Sequence, residues 1–169
     1  MRGDLHTLKR VCSYASIVML IGEIAFAILT VATAVLGIVS FTSDDIRDSF
    51  TSLIRCGDSD ISLISGTLEL IVIFVAMFIT VKVIHDTMVS IMNEHSPFME
   101  EHASRFKIVS ITFLISSVLL CILEYMTRSD AIFAICMLLV CLLISVVMYC
   151  LTIIFRYGNA LQEESDHTL

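Results

Sequence analysis

A chain of 169 residues with 57% hydrophobic side chains and a mean hydropathy of +0.94 holds more apolar surface than a soluble domain of its size can bury, so the bilayer must be its solvent. The formal charge of −7, with only 10 Lys and Arg scattered along the chain, excludes direct nucleic-acid binding, which needs a concentrated basic surface. The fold class this implies is all-α: a polytopic membrane protein built as a four-transmembrane-helix antiparallel bundle, because backbone polar groups in lipid must be satisfied within each segment.

In chain order, Arg2, Lys9 and Arg10 precede the first apolar run, about 11–40. Ala32-Thr33-Ala34 imitates a signal-peptidase site, but the run far exceeds the roughly 7–15 residues of a signal-peptide core and is read as an uncleaved span. An acidic loop with Asp44, Asp45, Asp48, Asp58 and Asp60 leads to a second span at about 61–84. Each run reaches the ~20 residues that cross a ~30 Å hydrocarbon core.

The central connection, 85–107, predicts a helix start: Ser96 as cap, Pro97 at the first position, then Glu100 and Glu101 where the helix dipole favours negative charge. That helix runs on into the third span, about 108–126. A turn at 127–130 forces the third span and the fourth, about 131–155, to be antiparallel neighbours, and a tail of 156–169 follows.

Basic residues orient the chain. Arg2, Lys9, Arg10, Lys82, Arg105, Lys107 and Arg156 fall on one side, against Arg47, Arg55 and Arg128 on the other. Both termini and the central connection are therefore expected in the cytoplasm, with an acidic face outside the plasma membrane. Tyr14, Tyr125 and Tyr157 fall near span ends, where amphipathic rings sit well.

Cys12, Cys121, Cys136, Cys141 and Cys150 lie in or beside apolar runs and Cys56 stands alone in the polar loop, so all six read as small packing residues. Stripes of small or polar residues recur at helical spacing and are expected to face one another. They run Ser16, Glu23, Ala27, Thr30, Ala34, Gly37; Ser62, Gly66, Glu69, Ala76, Thr80; Ser110, Ser117, Cys121, Glu124; and Ala134, Cys141, Ser145, Thr152.

Glu23 and Glu69 are the leading candidates for a ligand or proton site, since an ionisable group inside the membrane costs at least ~2.5–3.5 kcal/mol on insertion scales. Counting helical rise from the presumed membrane edges puts both at one level in the outer half of the bilayer, with no Lys or Arg beside them, so that they share a proton or a cation or find hydroxyl partners. Glu124 is a weaker candidate near the outer end of its span, explained by a surface pair with Arg128 four residues on. His85, Asp86, Glu94, His95 and His102 cluster in the central connection without ligand spacing and read as a solvated surface, so no metal is expected. No phosphate loop, Ser/His/Asp set or HExxH element appears; neither catalysis nor a cofactor is expected.

Two segments carry a resemblance: Ser96-Pro97-Phe98-Met99-Glu100-Glu101 running on to Arg105, and Phe155-Arg156-Tyr157-Gly158-Asn159-Ala160-Leu161-Gln162-Glu163-Glu164-Ser165-Asp166. Through them the chain resembles an uncharacterised family of small four-helix prokaryotic membrane proteins, the domain of unknown function numbered two-nine-seven-five. That family usually ends in a Gly-x-x-Leu-x-x-Glu-x-Asp-Leu-Thr tail; His167 departs from it where an aliphatic residue is usual. Genes of the family often lie beside a small helix-turn-helix regulator, so the resemblance implies a cytoplasmic partner of that kind, a matter of association. Contact residues for it would be Ser96, Pro97, Phe98, Glu100, Glu101, Arg105, Arg156, Gly158, Leu161, Glu164 and Asp166.

The leading expectation is a regulatory or sensory membrane protein, with a homo-oligomer open. A small proton- or cation-coupled carrier using Glu23 and Glu69 is the alternative from another class, although the long central connection departs from the compact plan of small multidrug carriers. An immunity protein against a membrane-active peptide also fits four spans with an acidic exterior.

Overall fold

The computed structural model describes residues 2–57, 59–93 and 100–167, with side chains over 10–57, 59–93 and 101–164. Helices α1 (Arg2–Val39), α2 (Asp44–Ile54), α3 (Asp60–Asn93), α4 (Glu100–Arg128) and α5 (Ala131–His167) account for nearly all of them. All but α2 are long and apolar enough to cross a membrane, and the chain is a multi-pass membrane protein. An even number of crossings puts Arg2, Asn93, Glu100 and His167 at one end, called here the terminal end. α2 and the α4–α5 turn lie at the other, the α2 end.

The apolar runs understate the helices. α3 continues past 84 to Asn93, and α5 past 155 to His167, so the expected tail is a direct extension of the fourth span. Polar side chains do not stop a helix once its backbone bonds propagate, and neither stretch holds a Gly–Pro break. The expected Ser96 cap, with Pro97 and Phe98, lies outside the described residues; the described part of α4 begins at Glu100.

Local chemistry fixes the ends. Ser40 Oγ donates to the Gly37 carbonyl at 2.7 Å as α1 closes. Ser59 caps α3, its Oγ accepting from the Ser62 amide at 3.1 Å, and Asp130 caps α5, its Oδ1 accepting from the Ile132 and Phe133 amides at 3.0 and 3.2 Å. Arg55 (φ 56°) ends α2 and Ser129 (φ 55°) follows the end of α4, both in the left-handed region that terminates helices. α2 itself, within the acidic loop, is amphipathic: Phe50 and Ile54 are buried with Leu63, while Asp44 and Asp45 occupy the first turn.

The four long helices form an open row. α1 packs on α3, α3 on α4 and α4 on α5, each pair antiparallel, while α2 packs on α1 and α3 and receives one side-chain hydrogen bond from α4; among the described residues no other pair of helices packs together. The row agrees with the antiparallel four-helix class, and among the described residues its first and last members make no closing contact.

Packing follows the small-residue stripes, with exceptions. At the α1–α3 contact, a Cβ on Gly37 would lie 2.5 Å from Thr67 Cγ2, so only glycine admits this approach. Ser110 and Ser145 exchange hydrogen bonds across α4–α5, each hydroxyl donating to the other's carbonyl at 2.9 and 2.8 Å. The stripes of α3, α4 and α5 are inward-facing throughout, but Ala27 of α1 is exposed. All six cysteines are free; Cys12 and Cys141 are buried, whereas Cys136 and Cys150 point out of the row, where their apolar surface meets lipid. Large apolar side chains such as Ile38 (71% exposed) and Leu143 (63%) cover the outside, as a lipid-facing surface requires.

Candidate functional site

The α2 end holds a charged centre. Glu69 on α3 and Glu124 on α4 are almost completely buried, at 4% and 0% exposed, and both are engaged by Arg128 at the end of α4. Arg128 Nη1 donates to Glu124 Oε2 and lies 3.5 Å from Glu69 Oε1; Nη2 donates to the Ile54 carbonyl of α2 at 3.0 Å. The guanidinium also sits 5.9 Å from the Phe133 ring centroid. One cation thus ties α2, α3 and α4 together.

Hydroxyls extend the centre. Ser62 Oγ donates to the Thr127 carbonyl at 2.6 Å and accepts from the Gly57 amide at 2.8 Å, and Thr127 Oγ1 lies 3.0 Å from Ser65 Oγ. Gly66 permits the approach, since a Cβ there would lie 2.9 Å from Ile54 Cγ2 and 3.2 Å from Thr127 Cγ2. The second carboxylate oxygens, Glu69 Oε2 and Glu124 Oε1, have no hydrogen-bond partner among the described residues, and the two carboxyls adjoin each other. Two acids for one guanidinium leave one negative charge that a proton or a cation would balance.

Glu23 belongs to a different place. Its carboxylate lies 3.4 Å from Lys82 Nζ and 3.7 Å from His85 Nδ1, and His85 Nδ1 is 3.8 Å from Asp86. Lys82 is thirteen residues beyond Glu69 on α3, about 20 Å of helical rise. The expectation that Glu23 and Glu69 share one level without a basic neighbour is therefore corrected. The first apolar run is longer than the core it crosses, so a depth counted from Arg10 places Glu23 too far toward the α2 end. Glu124 needs a correction too: the pair with Arg128 is present, but at the α3–α4 contact instead of on the surface.

The other candidates divide between two clefts at the terminal end. Glu101 and Arg105, paired with each other at 2.7 Å, line a cleft of about 460 Å³ between α3 and α4 with His85, Asp86, Ser90 and Asn93. Arg156 lines another, between α4 and α5. Gly158, Leu161 and Glu164 continue along α5 beyond it, Leu161 and Glu164 exposed, while the side chains of Glu100 and Asp166 lie outside the described residues. His102, expected on a solvated surface, is instead buried at 0% exposed against the Phe155 ring at 6.4 Å. Glu94 and His95 lie outside the described residues. Among those described, no three His, Cys, Asp or Glu residues are placed to hold a metal ion.

Sequence reasoning missed Arg128 as the partner of Glu69, along with the role of α2. The available signal was the short α4–α5 turn, which keeps Arg128 at the level of the early turns of α3. No protein-family model, curated protein or solved structure matches the chain.

Proposed function

We propose that the chain is a regulatory or sensory membrane protein, joining an event at its α2 face to a soluble partner at its terminal end. The excess of basic residues on the side of the termini supports a cytoplasmic terminal end and an α2 face outside the plasma membrane. The observation that carries the reading is the Glu69–Arg128–Glu124 centre, a charge-unbalanced cluster between the same two helices that enclose the cleft of His85, Asp86, Glu101 and Arg105.

α3 and α4, of 34 and 29 residues, are about 51 and 44 Å long and unbroken, so a change in their spacing at one end is transmitted to the other. Protonation of a carboxyl, or a cation bound between them, alters the interaction that sets that spacing, which is the differential a switch requires. The cleft presents both signs of charge to a partner. A small helix-turn-helix regulator is the partner that the family resemblance implies, and the exposed extension of α5 would add to its contact surface. The reading assigns no catalytic step and no cofactor.

Affinity purification of the tagged chain in mild detergent, followed by mass spectrometry, tests it. A soluble protein that co-purifies with the wild type and is lost from Glu101→Arg/Arg105→Glu supports the reading; a chain recovered alone, or as a homo-oligomer, removes its support. The carrier alternative has less behind it, because Glu23 and Glu69 are far apart and each has its own basic partner. Cation flux in proteoliposomes that disappears in Glu69→Gln would restore it. An immunity role would be seen as protection of cells against a membrane-active peptide.

A further inference from the structure

The second cleft at the terminal end, about 330 Å³ between α4 and α5, is basic. Lys107 enters from α4 and Arg156 from α5, with Ser104, Tyr149 and Thr152 completing the polar lining. In a chain with an excess of acid, two other cations toward the terminal end are neutralised, Arg105 by Glu101 and Lys82 by Glu23. Lys107 and Arg156 have no hydrogen bond or ion pair among the described residues. Thr152 Oγ1 already donates to the Met148 carbonyl at 3.0 Å, which leaves Ser104 and Tyr149 as the hydroxyl donors.

The level of the cleft matters as much as its charge. Lys107 directly precedes Ile108, where the apolar run of α4 begins, and Arg156 directly follows Phe155, where that of α5 ends. Antiparallel packing brings these two boundaries together, since Phe106 of α4 stacks on Phe155 of α5 at 5.1 Å. Toward the membrane the surface becomes apolar and exposed, through Ile153 (52%) in the lining and Ile108 (51%) and Ile111 (45%) farther along α4. A cationic notch directly above an apolar surface matches a phosphate with an acyl chain attached.

We propose that this cleft binds the phosphate group of an anionic phospholipid in the leaflet on the side of the termini. Lys107 and Arg156 neutralise the phosphate, Ser104 and Tyr149 donate to its oxygens, and the acyl chain lies along Ile108 and Ile153. The proposal is independent of any regulatory role. A free phosphate ion offers the same oxygens and is the other source of this ligand.

Native mass spectrometry of the full chain in detergent, with phosphatidylglycerol or phosphatidylcholine added, tests the site. The wild type should retain phosphatidylglycerol over phosphatidylcholine. Lys107→Gln/Arg156→Gln should lower that retention about tenfold or more, while the charge-preserving Lys107→Arg/Arg156→Lys keeps it. Both variants should unfold at the wild-type temperature in lipid-free detergent, because neither side chain holds a structural partner. Inorganic phosphate that binds alone, and displaces the lipid at millimolar concentration, would keep the site and assign its anion to the soluble pool. Equal retention of the two lipids by the wild type, or equal phosphatidylglycerol on wild type and the neutralised variant, would overturn it.

Discussion

Arg128 and Glu69 are fifty-nine positions apart in sequence and meet across the α3–α4 contact, with Nη1 3.5 Å from Oε1. The same nitrogen serves Glu124, so the guanidinium is shared by two buried acids. Removing one partner from such a cluster is costly because the others stay buried without compensation.

Arg128→Met should accordingly lower the thermal midpoint in detergent. The loss should sit near or below the low end of the roughly 3–5 kcal/mol typical of a broken buried pair, since the Arg128 side chain is 30% exposed. Glu124→Gln in that background should recover part of the loss, an interaction energy that a double-mutant cycle reads directly. Strict additivity would contradict the shared geometry.

Gly37→Ala should destabilise the α1–α3 contact, because the added methyl would overlap Thr67 Cγ2. Overpacking of this kind costs about 1–3 kcal/mol. Thr67→Ser removes the methyl group in conflict and should restore most of the loss; thermal unfolding of the single and double variants measures both.

Cysteine alkylation distinguishes the two faces of the row. With a membrane-permeant maleimide under native conditions, Cys136 and Cys150 should react well before Cys12 and Cys141, which are 3% and 7% exposed. Peptide mapping of a timed reaction gives the order, and equal rates in denaturant provide the control. Early modification of Cys141 would place α5 differently from the row described.

Asp130→Ala removes the acceptor for two amides at the start of α5. The expected loss is about 1 kcal/mol, and Asp130→Ser should retain most of the cap. Hydrogen exchange at Ile132 and Phe133 should accelerate in the alanine variant alone.

Hydropathy was sufficient for four antiparallel helices, because runs as long and apolar as 61–84 and 131–155 admit one solution in lipid. It was insufficient for their ends, since the helices continue through polar residues such as Thr87 and Asn159. α2 was hidden because its apolar signal is a handful of side chains in an acidic loop. The candidate site was half legible. A buried carboxylate draws attention by its cost, which singled out Glu23 and Glu69, but the identity of its partner depends on the register between helices. Glu69 finds Arg128, and Glu23 finds Lys82, only once that register is known. The arithmetic of rise per residue failed for Glu23 because a span longer than the membrane has no fixed starting level.

The open row also has a consequence for biosynthesis. Among the described residues each long helix packs only on helices consecutive with it among the four spans, with α2 docking on α1 and α3 and later receiving the Arg128 bond from α4. Each span therefore finds its only earlier partner already in the membrane when it emerges, and none waits for a later one to close a ring. Assembly can proceed hairpin by hairpin as the chain is made, with the Glu69–Arg128 contact forming when α4 reaches its end. Until that moment Glu69 is without its cation, which makes the arrival of Arg128 the step at which the half-built protein becomes comfortable in lipid.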